Sequence, residues 1–472
     1  MGHLSDLTYP DASVGKVSFA PNAFGQASKA TRANAIYASN ASYYPTGTVN
    51  TFTYGNGITH KTELNDRRQP SSIRDHLNQS DRLNMAYEYD HQSNITKISD
   101  NINAAYSLAN LAYDGLDRLT STTGGNGIGS SSMAYDALGN ITQYTSKGAS
   151  LNYSYNLSLN RLTSVNDSIG SKNYNFAGGY DGRGNVTYNG HRFFDYNLAN
   201  QMTGSSGNLY LYDGFNRRIR TQDSHGTSFS MYSQAGKLLY RETKDGGINY
   251  IFLGDKLIAK EGVMPVSTNS RMHYKPFGDS IETPKDDVGY TGHKFDTDLG
   301  WSYMQQRYMD PVLARFMQND PVGFTGDVTT YNRYSYVGNN PYKYTDPDGG
   351  SRKSKRKQGM ATANLIARGV ASVTEEGSAL NHYADAVVEA TETALTGKPR
   401  AGKKAKDSSK NSAHGDDGRA KKKAQSAIGE LEKKQEGSKG TNKKKMKQKI
   451  KNMKKTAEKK KKGEEHSRGA KR

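Results

Sequence analysis

YTGHKFDTDLGWSYMQQRYMDPVLARFMQNDPVGFTGDVTTYNRYSYVGNNPYKYTDPDG, running from Tyr290 to Gly349, separates two chemically different parts of the chain. Three Asp-Pro steps punctuate it: Asp310-Pro311, Asp320-Pro321 and Asp346-Pro347. Proline presets the φ of a turn's second residue, and the Asp before it bonds back to a following backbone N–H. The pattern D-P-x-G occurs twice, ending at Gly323 and Gly349. Tyr334 and Tyr336, then Tyr342 and Tyr344, alternate with period two and predict short strands. On these residues alone the stretch is a turn-rich β module whose aspartates cap turns.

Upstream lies an imperfect repeat: YDHQSNITKISD from Tyr89, YDGLDRLTSTT from Tyr113, YDALGNITQYTS from Tyr135 and YNLSLNRLTSVN from Tyr155. It continues as YDGRGNVTYNG from Tyr180, YNLANQMTGSS from Tyr196 and YDGFNRRIRTQD from Tyr212. The tyrosines recur every 16 to 25 residues, a spacing typical of arrays in which each unit buries its face against its neighbours. In each unit Tyr ends a strand, Asp or Asn with Gly makes the turn, and an apolar residue before Thr starts the next strand. The array's histidines (His60, His76, His91, His191, His225) lack metal-ligand spacing and read as surface positions.

Array and module together resemble the RHS/YD-repeat polymorphic toxins. The module is similar to the RHS-associated core from GHKFDTDLGWSYMQQRYMDP through FMQNDPVGFTGDVTTYNRYSYVGNNP to DPDG, and HYKPFGD, His273 to Asp279, is similar as well. The resemblance implies a mainly β fold, a cocoon-like shell of YD repeats closed by the core, with a variable effector after it. It further implies aspartyl self-cleavage that releases the effector inside the shell. The motif falls on Arg307 in QQRYMDP, Asp320 in NDPVG and Asp346 in TDPDG. Two carboxylates sharing a site do not both ionise, so one serves as acid and one as base on a water, with Arg holding charge. The family pattern continues D-P-x-G-Leu and is cut there; this chain has Gly350. The resemblance also implies a dedicated secretion machinery and delivery of the effector into a target cell's cytoplasm. A cognate immunity protein in the producing cell follows on the same ground.

The totals fit this reading. The chain has 472 residues, only 33% of them hydrophobic, with 32 Tyr and 49 Gly, which suits many short strands and turns. It has no cysteine, excluding disulfides and thiolate zinc sites. MGHLSDLTYPDASVGKVSF lacks the basic and apolar regions of a Sec signal, and no apolar run is long enough to span a bilayer. If the protein is exported to a secreted or cell-surface location, as the resemblance implies, it uses a non-Sec route, or this chain is part of a longer one. At about 350 residues the β part is short for a closed shell, so the chain is either the closing end of one or a piece of a longer protein.

The net charge of +19 is concentrated at one end. From Ser351 to Arg472 there are 34 Lys and Arg against 14 Asp and Glu, whereas the first 350 residues are nearly balanced. SRKSKRKQG is a basic linker, and Leu380, Tyr383, Ala384, Val387, Val388, Thr391 and Leu395 share one face of a predicted helix. Farther on, Ala424, Ala427, Ile428 and Leu431 form one narrow stripe, and Met446, Ile450, Met453 and Ala457 a second. Gly437 and Gly440 break the chain between them, which predicts a helical hairpin.

That hairpin would bring His414 and His466 to one end, among Asp416, Asp417, Arg419, Glu464, Glu465 and Arg468. Phosphodiester cleavage by general acid and base needs such a set: two groups titrating near neutrality, a carboxylate to orient one, and Arg for the phosphate. No cofactor is evident, and no metal-binding spacing is present, although His466 with Glu464 or Asp416 offers ligands for a divalent ion. The opposing reading is a solvated Lys-rich hairpin with idle histidines. Lys421, Lys422, Lys423, Lys443, Lys444, Lys445, Lys459, Lys460, Lys461 and Lys462 would, with Arg419, neutralise phosphates without regard to sequence. Tyr383 is the only aromatic residue after Ser351, so base stacking is not available.

The expected organisation is an N-terminal β segment (1–85), a YD array (86–255), the core (256–349), a basic linker with an amphipathic helix (350–410) and the effector tip (411–472). Three function classes remain: a toxin with a nuclease tip (RNase or DNase) used against bacteria or a host, a toxin whose tip only binds nucleic acid or membrane, and a YD-repeat surface or structural protein with a basic tail.

Overall fold

The computed structural model describes residues 3–350, apart from 34, 148, 170–172, 264–270 and 327, together with the backbone of 353–354. The chain divides into two compact units, Met1–Pro399 and Arg400–Arg472, and everything described belongs to the first. The helices expected over 360–396 and 424–457 lie outside the described residues.

The described residues are mainly β. Sixteen strands, from Asp6–Thr8 to Tyr174–Asn175, pair in chain order as one antiparallel sheet, and eight more, from Phe194–Tyr196 to Lys256–Gly262, make a second. Lys294–Asp296, Trp301–Met304, Arg307–Asp310 and Arg315–Phe316 make a third. Among the described residues no helix is long and apolar enough to cross a membrane.

The repeat motif has a local cause. Tyr135 ends one strand and Ile141 begins the next. Between them the Asp136 N–H donates to Asn140 O at 3.0 Å and the Gly139 N–H to Asp136 O at 3.0 Å. Gly139 sits at φ +77°, and the pairing shifts at Tyr135, so a β-bulge closes the hairpin. One Asp136 oxygen accepts from the Leu138 and Asn140 N–H groups, and the other accepts from the Asn140 side chain at 2.8 Å. Asp181 with Asn185, Asp114 with Arg118 and Asp213 with Arg217 repeat the arrangement.

In several units the Tyr reaches back one repeat. Tyr113 donates to Ile95 O, Tyr135 to Leu119 O and Tyr155 to Ile141 O, at 2.8, 2.5 and 2.8 Å. The ring thus packs while its hydroxyl satisfies a strand-start carbonyl. Neighbouring turns are also tied side to side, Asn94 to Asp117 and Asn140 to Asn160.

Inward residues such as Ile98, Leu111, Tyr144 and Tyr153 form one buried cluster with the core's Trp301, Tyr308, Phe316 and Tyr336. A second cluster joins the first hairpins (Val17, Tyr37, Phe52) to the last strands (Ile251, Leu253, Ile258). Arg32 pairs with Glu261 at 2.5 Å across this seam, and Tyr9 donates to Tyr250 O. His60 belongs here too. Contrary to the surface reading it is 2% exposed, 2.5 Å from Asp75 and 3.4 Å from the Lys256 ammonium, because its strand alternation turns it toward the seam.

The core docks on the row of turns. Asn332 donates to Asn140, Asn340 to Asn94 and Asp117 O, Asn339 to Gly139 O, and Tyr334 to Gly184 O. The two sheets part at the Tyr180 repeat, where the Val186 N–H donates to Met317 O of the core and only isolated bridges form. Tyr334 and Tyr336 are not in strands as their alternation predicts. Val337, Gly338 and Asn339 all take positive φ, which coils the segment into a 3-10 turn.

Candidate active site

The hairpin Trp301–Met304 to Arg307–Asp310 places Arg307 at its turn, where the side chain is buried. Its guanidinium lies 3.5 Å from the centre of the Phe316 ring, a cation–π contact that fixes its plane. Nη2 is 3.1 Å from Oδ2 of both Asp320 and Asp346. Nε donates to the Gly349 carbonyl and Nη1 to Arg333 O. The three residues expected from sequence thus converge on one side chain, and a backbone carbonyl joins them.

The two aspartates differ in setting. Asp346 is buried with 2% side-chain exposure, whereas Asp320 is at 25% and meets solvent. Asp320 also caps its turn, accepting from the Val322 N–H at 2.8 Å. The backbone carbonyl of Asp346 is held at 2.8 Å by His293. Burial pushes the Arg307 pKa down, and the carboxylates of Asp346 and Asp320 oppose that.

The third Asp-Pro step does different work. Asp310 accepts from the Val312 and Leu313 N–H groups and from the Trp301 indole at 2.8 Å, with no cation among these partners. Burial pushes its carboxyl up to about 6. Gly349 is sterically required: at φ +73°, a Cβ there would lie 2.1 Å from Met304 O, whereas one at Gly323 would meet open space. Sequence reasoning did not single out Phe316, His293 or the Gly349 carbonyl. Phe316 directly follows Arg315 in ARF, and His293 lies in the GHKFD match, but nothing in either spells a contact with Arg307 or Asp346.

Donor atoms of Asp223, His225 and Asp286 approach within 4.8 Å, although Asp286 already pairs with Arg241 and Lys294. The expected tip residues, Arg419 and the lysine runs included, lie outside the described residues, as do His414, Glu464, Glu465, His466 and Arg468.

A family model, Teneurin YD-shell, matches residues 34–240. The chain is 28% identical over 258 residues to the tRNA3(Ser)-specific nuclease WapA of Bacillus spizizenii, covering 46% of this chain and 11% of that protein. It is 25% identical over 256 residues to the tRNA nuclease WapA of Bacillus subtilis, with the same coverage. The Aedes aegypti salivary gland surface protein 1 matches 82 residues at 34% identity, 16% of this chain and 2% of that one. Among solved structures, the TcdB2–TccC3 crystal structure without its hypervariable C-terminal region aligns with TM-score 0.55 at 16% identity, over 71% of this chain and 20% of the other. The Photorhabdus luminescens Tc holotoxin pore aligns with TM-score 0.53 at 16% identity, over 76% and 21%. The chain therefore spans a small part of the length of each relative. Repeat, core and comparisons agree, and the chain is similar to the RHS/YD-repeat shell proteins.

Proposed function

We propose that this chain is the closing part of an RHS-type toxin, whose shell and core enclose or present a basic C-terminal effector acting on nucleic acid. The observation that carries the release step is the convergence of Asp320, Asp346 and the Gly349 carbonyl on buried Arg307. In this reading one aspartate, ionised, takes a proton from water as its oxygen bonds to the carbonyl carbon of residue 350. The other, protonated, gives its proton to the departing amide nitrogen as the C–N bond breaks. Arg307 polarises the adjoining backbone and holds charge.

The nucleic-acid reading is supported by the charge concentrated after Ser351 and by relatives whose names are tRNA nucleases. His414 and His466, with Glu464, Glu465 and Arg468, are the proposed cleaving set, and the three lysine runs the phosphate contacts. Delivery into a target-cell cytoplasm, a secretion machinery and a cognate immunity protein belong to the same proposal. Inducible expression of the full chain in a bacterium, with RNA and DNA run on gels, tests it. Killing with fragmented nucleic acid that disappears in His466→Ala supports a nuclease. Killing that survives both His414→Ala and His466→Ala with nucleic acid intact favours a binding tip, and harmless expression favours a surface or structural protein.

A further inference from the structure

The turn that carries Arg307 grips the segment Asp348–Gly350 in three places. The Gln306 N–H donates to Asp348 O at 3.1 Å, and Arg307 Nε donates to Gly349 O. The third contact involves a side chain that the proposed cleavage does not yet use. Gly350 is buried while Gln306 is exposed, and a Cβ built on Gly350 would lie 2.8 Å from the Gln306 amide nitrogen and 3.1 Å from its carbon and oxygen. The Gln306 amide therefore fills the space that a side chain at residue 350 would take. It lies over the glycine on the solvent side. The Gly350 N–H donates to the Asp348 carboxylate at 3.1 Å.

A glycine beside a reacting bond has a cost. It samples more backbone conformations than any other residue, so the carbonyl to be attacked is poorly held. Misplacement of a reacting group by an ångström slows a reaction by large factors. Something must restrict Gly350, and the atoms next to it belong to Gln306.

We infer that Gln306 is a positioning residue for self-cleavage, its side-chain amide standing in for the side chain absent at residue 350 and holding Gly350 over the Arg307 site. This rests on the proteolytic reading proposed above. The amide is the far end of a flexible side chain, so a larger residue at 350 displaces it without disturbing the backbone. Gln306 and a side chain at 350 are thus interchangeable occupants of one space.

The test follows the full chain in cell-free translation, timing its conversion to two fragments, for the native sequence, Gln306→Ala, Gly350→Leu and the double variant. Gln306→Ala empties the space and is expected to slow cleavage about tenfold. In the double variant leucine at residue 350 refills the space, and cleavage is expected to recover to the rate of Gly350→Leu alone. A purely structural role for Gln306 would not be rescued by a change at 350. Native-rate cleavage by Gln306→Ala, or a double variant as slow as Gln306→Ala, overturns the inference.

Amide hydrogen exchange at Gly350 separates the two failures. If the native chain and Asp346→Asn are both uncut, the proteolytic reading falls, and exchange still judges the contact. Faster exchange in Gln306→Ala, reversed by Gly350→Leu, upholds the positioning role of the amide, and unchanged exchange refutes it.

Discussion

Nη2 of Arg307 lies 3.1 Å from Oδ2 of Asp346, and both side chains are buried. Truncating the cation removes the guanidinium partner of a buried carboxylate, a loss of about 3–5 kcal/mol. Arg307→Ala is therefore expected to lower the melting temperature strongly. Asp346→Asn keeps the packing and removes the stranded charge, so the double variant should be more stable than Arg307→Ala alone. Thermal unfolding of the four proteins measures this coupling, and additive effects would show that the pair does not act as a unit.

The Asp of each repeat turn is expected to matter more than its place in a loop suggests. Asp136→Ala removes the carboxylate that accepts from the backbone N–H and the side-chain amide of Asn140, which is 1% exposed, keeps Asn160 as an acceptor and itself accepts from Asn332 of the core. Leaving such a group partly unsatisfied costs about 1–3 kcal/mol. Denaturant unfolding of Asp136→Ala should show this loss. A change within a few tenths would mean the turn is held by its backbone bonds alone.

Asp310 predicts a pH dependence. Its carboxyl is raised to about 6 by burial, above the unfolded value near 3.8, so the folded state binds its proton more tightly. That contribution is full below the unfolded pKa and is lost as pH rises through about 6. Asp310→Asn removes the titration, although its amide cannot accept from Trp301 through both positions. The native-minus-variant difference in melting temperature should shrink from pH 4 to pH 7, and a flat or rising difference would contradict the assignment.

Arg218 ties the second sheet to the core through two bonds to Asp296, at 2.5 and 2.8 Å, with its guanidinium 4.3 Å from the Tyr303 ring centre. Lysine has neither the fork nor the plane. Arg218→Lys is expected to lose about 1.5–3 kcal/mol, the range for a hydrogen bond to a charged group, as read by thermal unfolding. A variant as stable as the native chain would show the bidentate geometry to be dispensable.

Much of this was legible in the sequence because the repeat acts locally. The Asp, the positive-φ position and the Asn or Arg of YDALGN or YDGLDR all serve one five-residue turn, so their spacing is fixed by the turn itself. Arg307, Asp320 and Asp346 were found through motif resemblance, and their convergence depends on folding that no spacing encodes. His60 was misread because it is buried at a seam that brings in residues as distant as Lys256, 196 positions away. Tyr334 and Tyr336 misled because alternating tyrosines here face turn carbonyls and aromatic neighbours rather than a strand partner. Gln306 carried no signal at all, since its meaning depends on the glycine lying against it.

Whether the Arg307 site cuts its own chain at Gly350 is read from the intact mass of the purified full chain. The native 51.9 kDa chain is expected to separate into two fragments meeting at Gly350, and Asp346→Asn to stay whole. A native chain that stays whole, or an Asp346→Asn variant cut at the same place and rate, would contradict it.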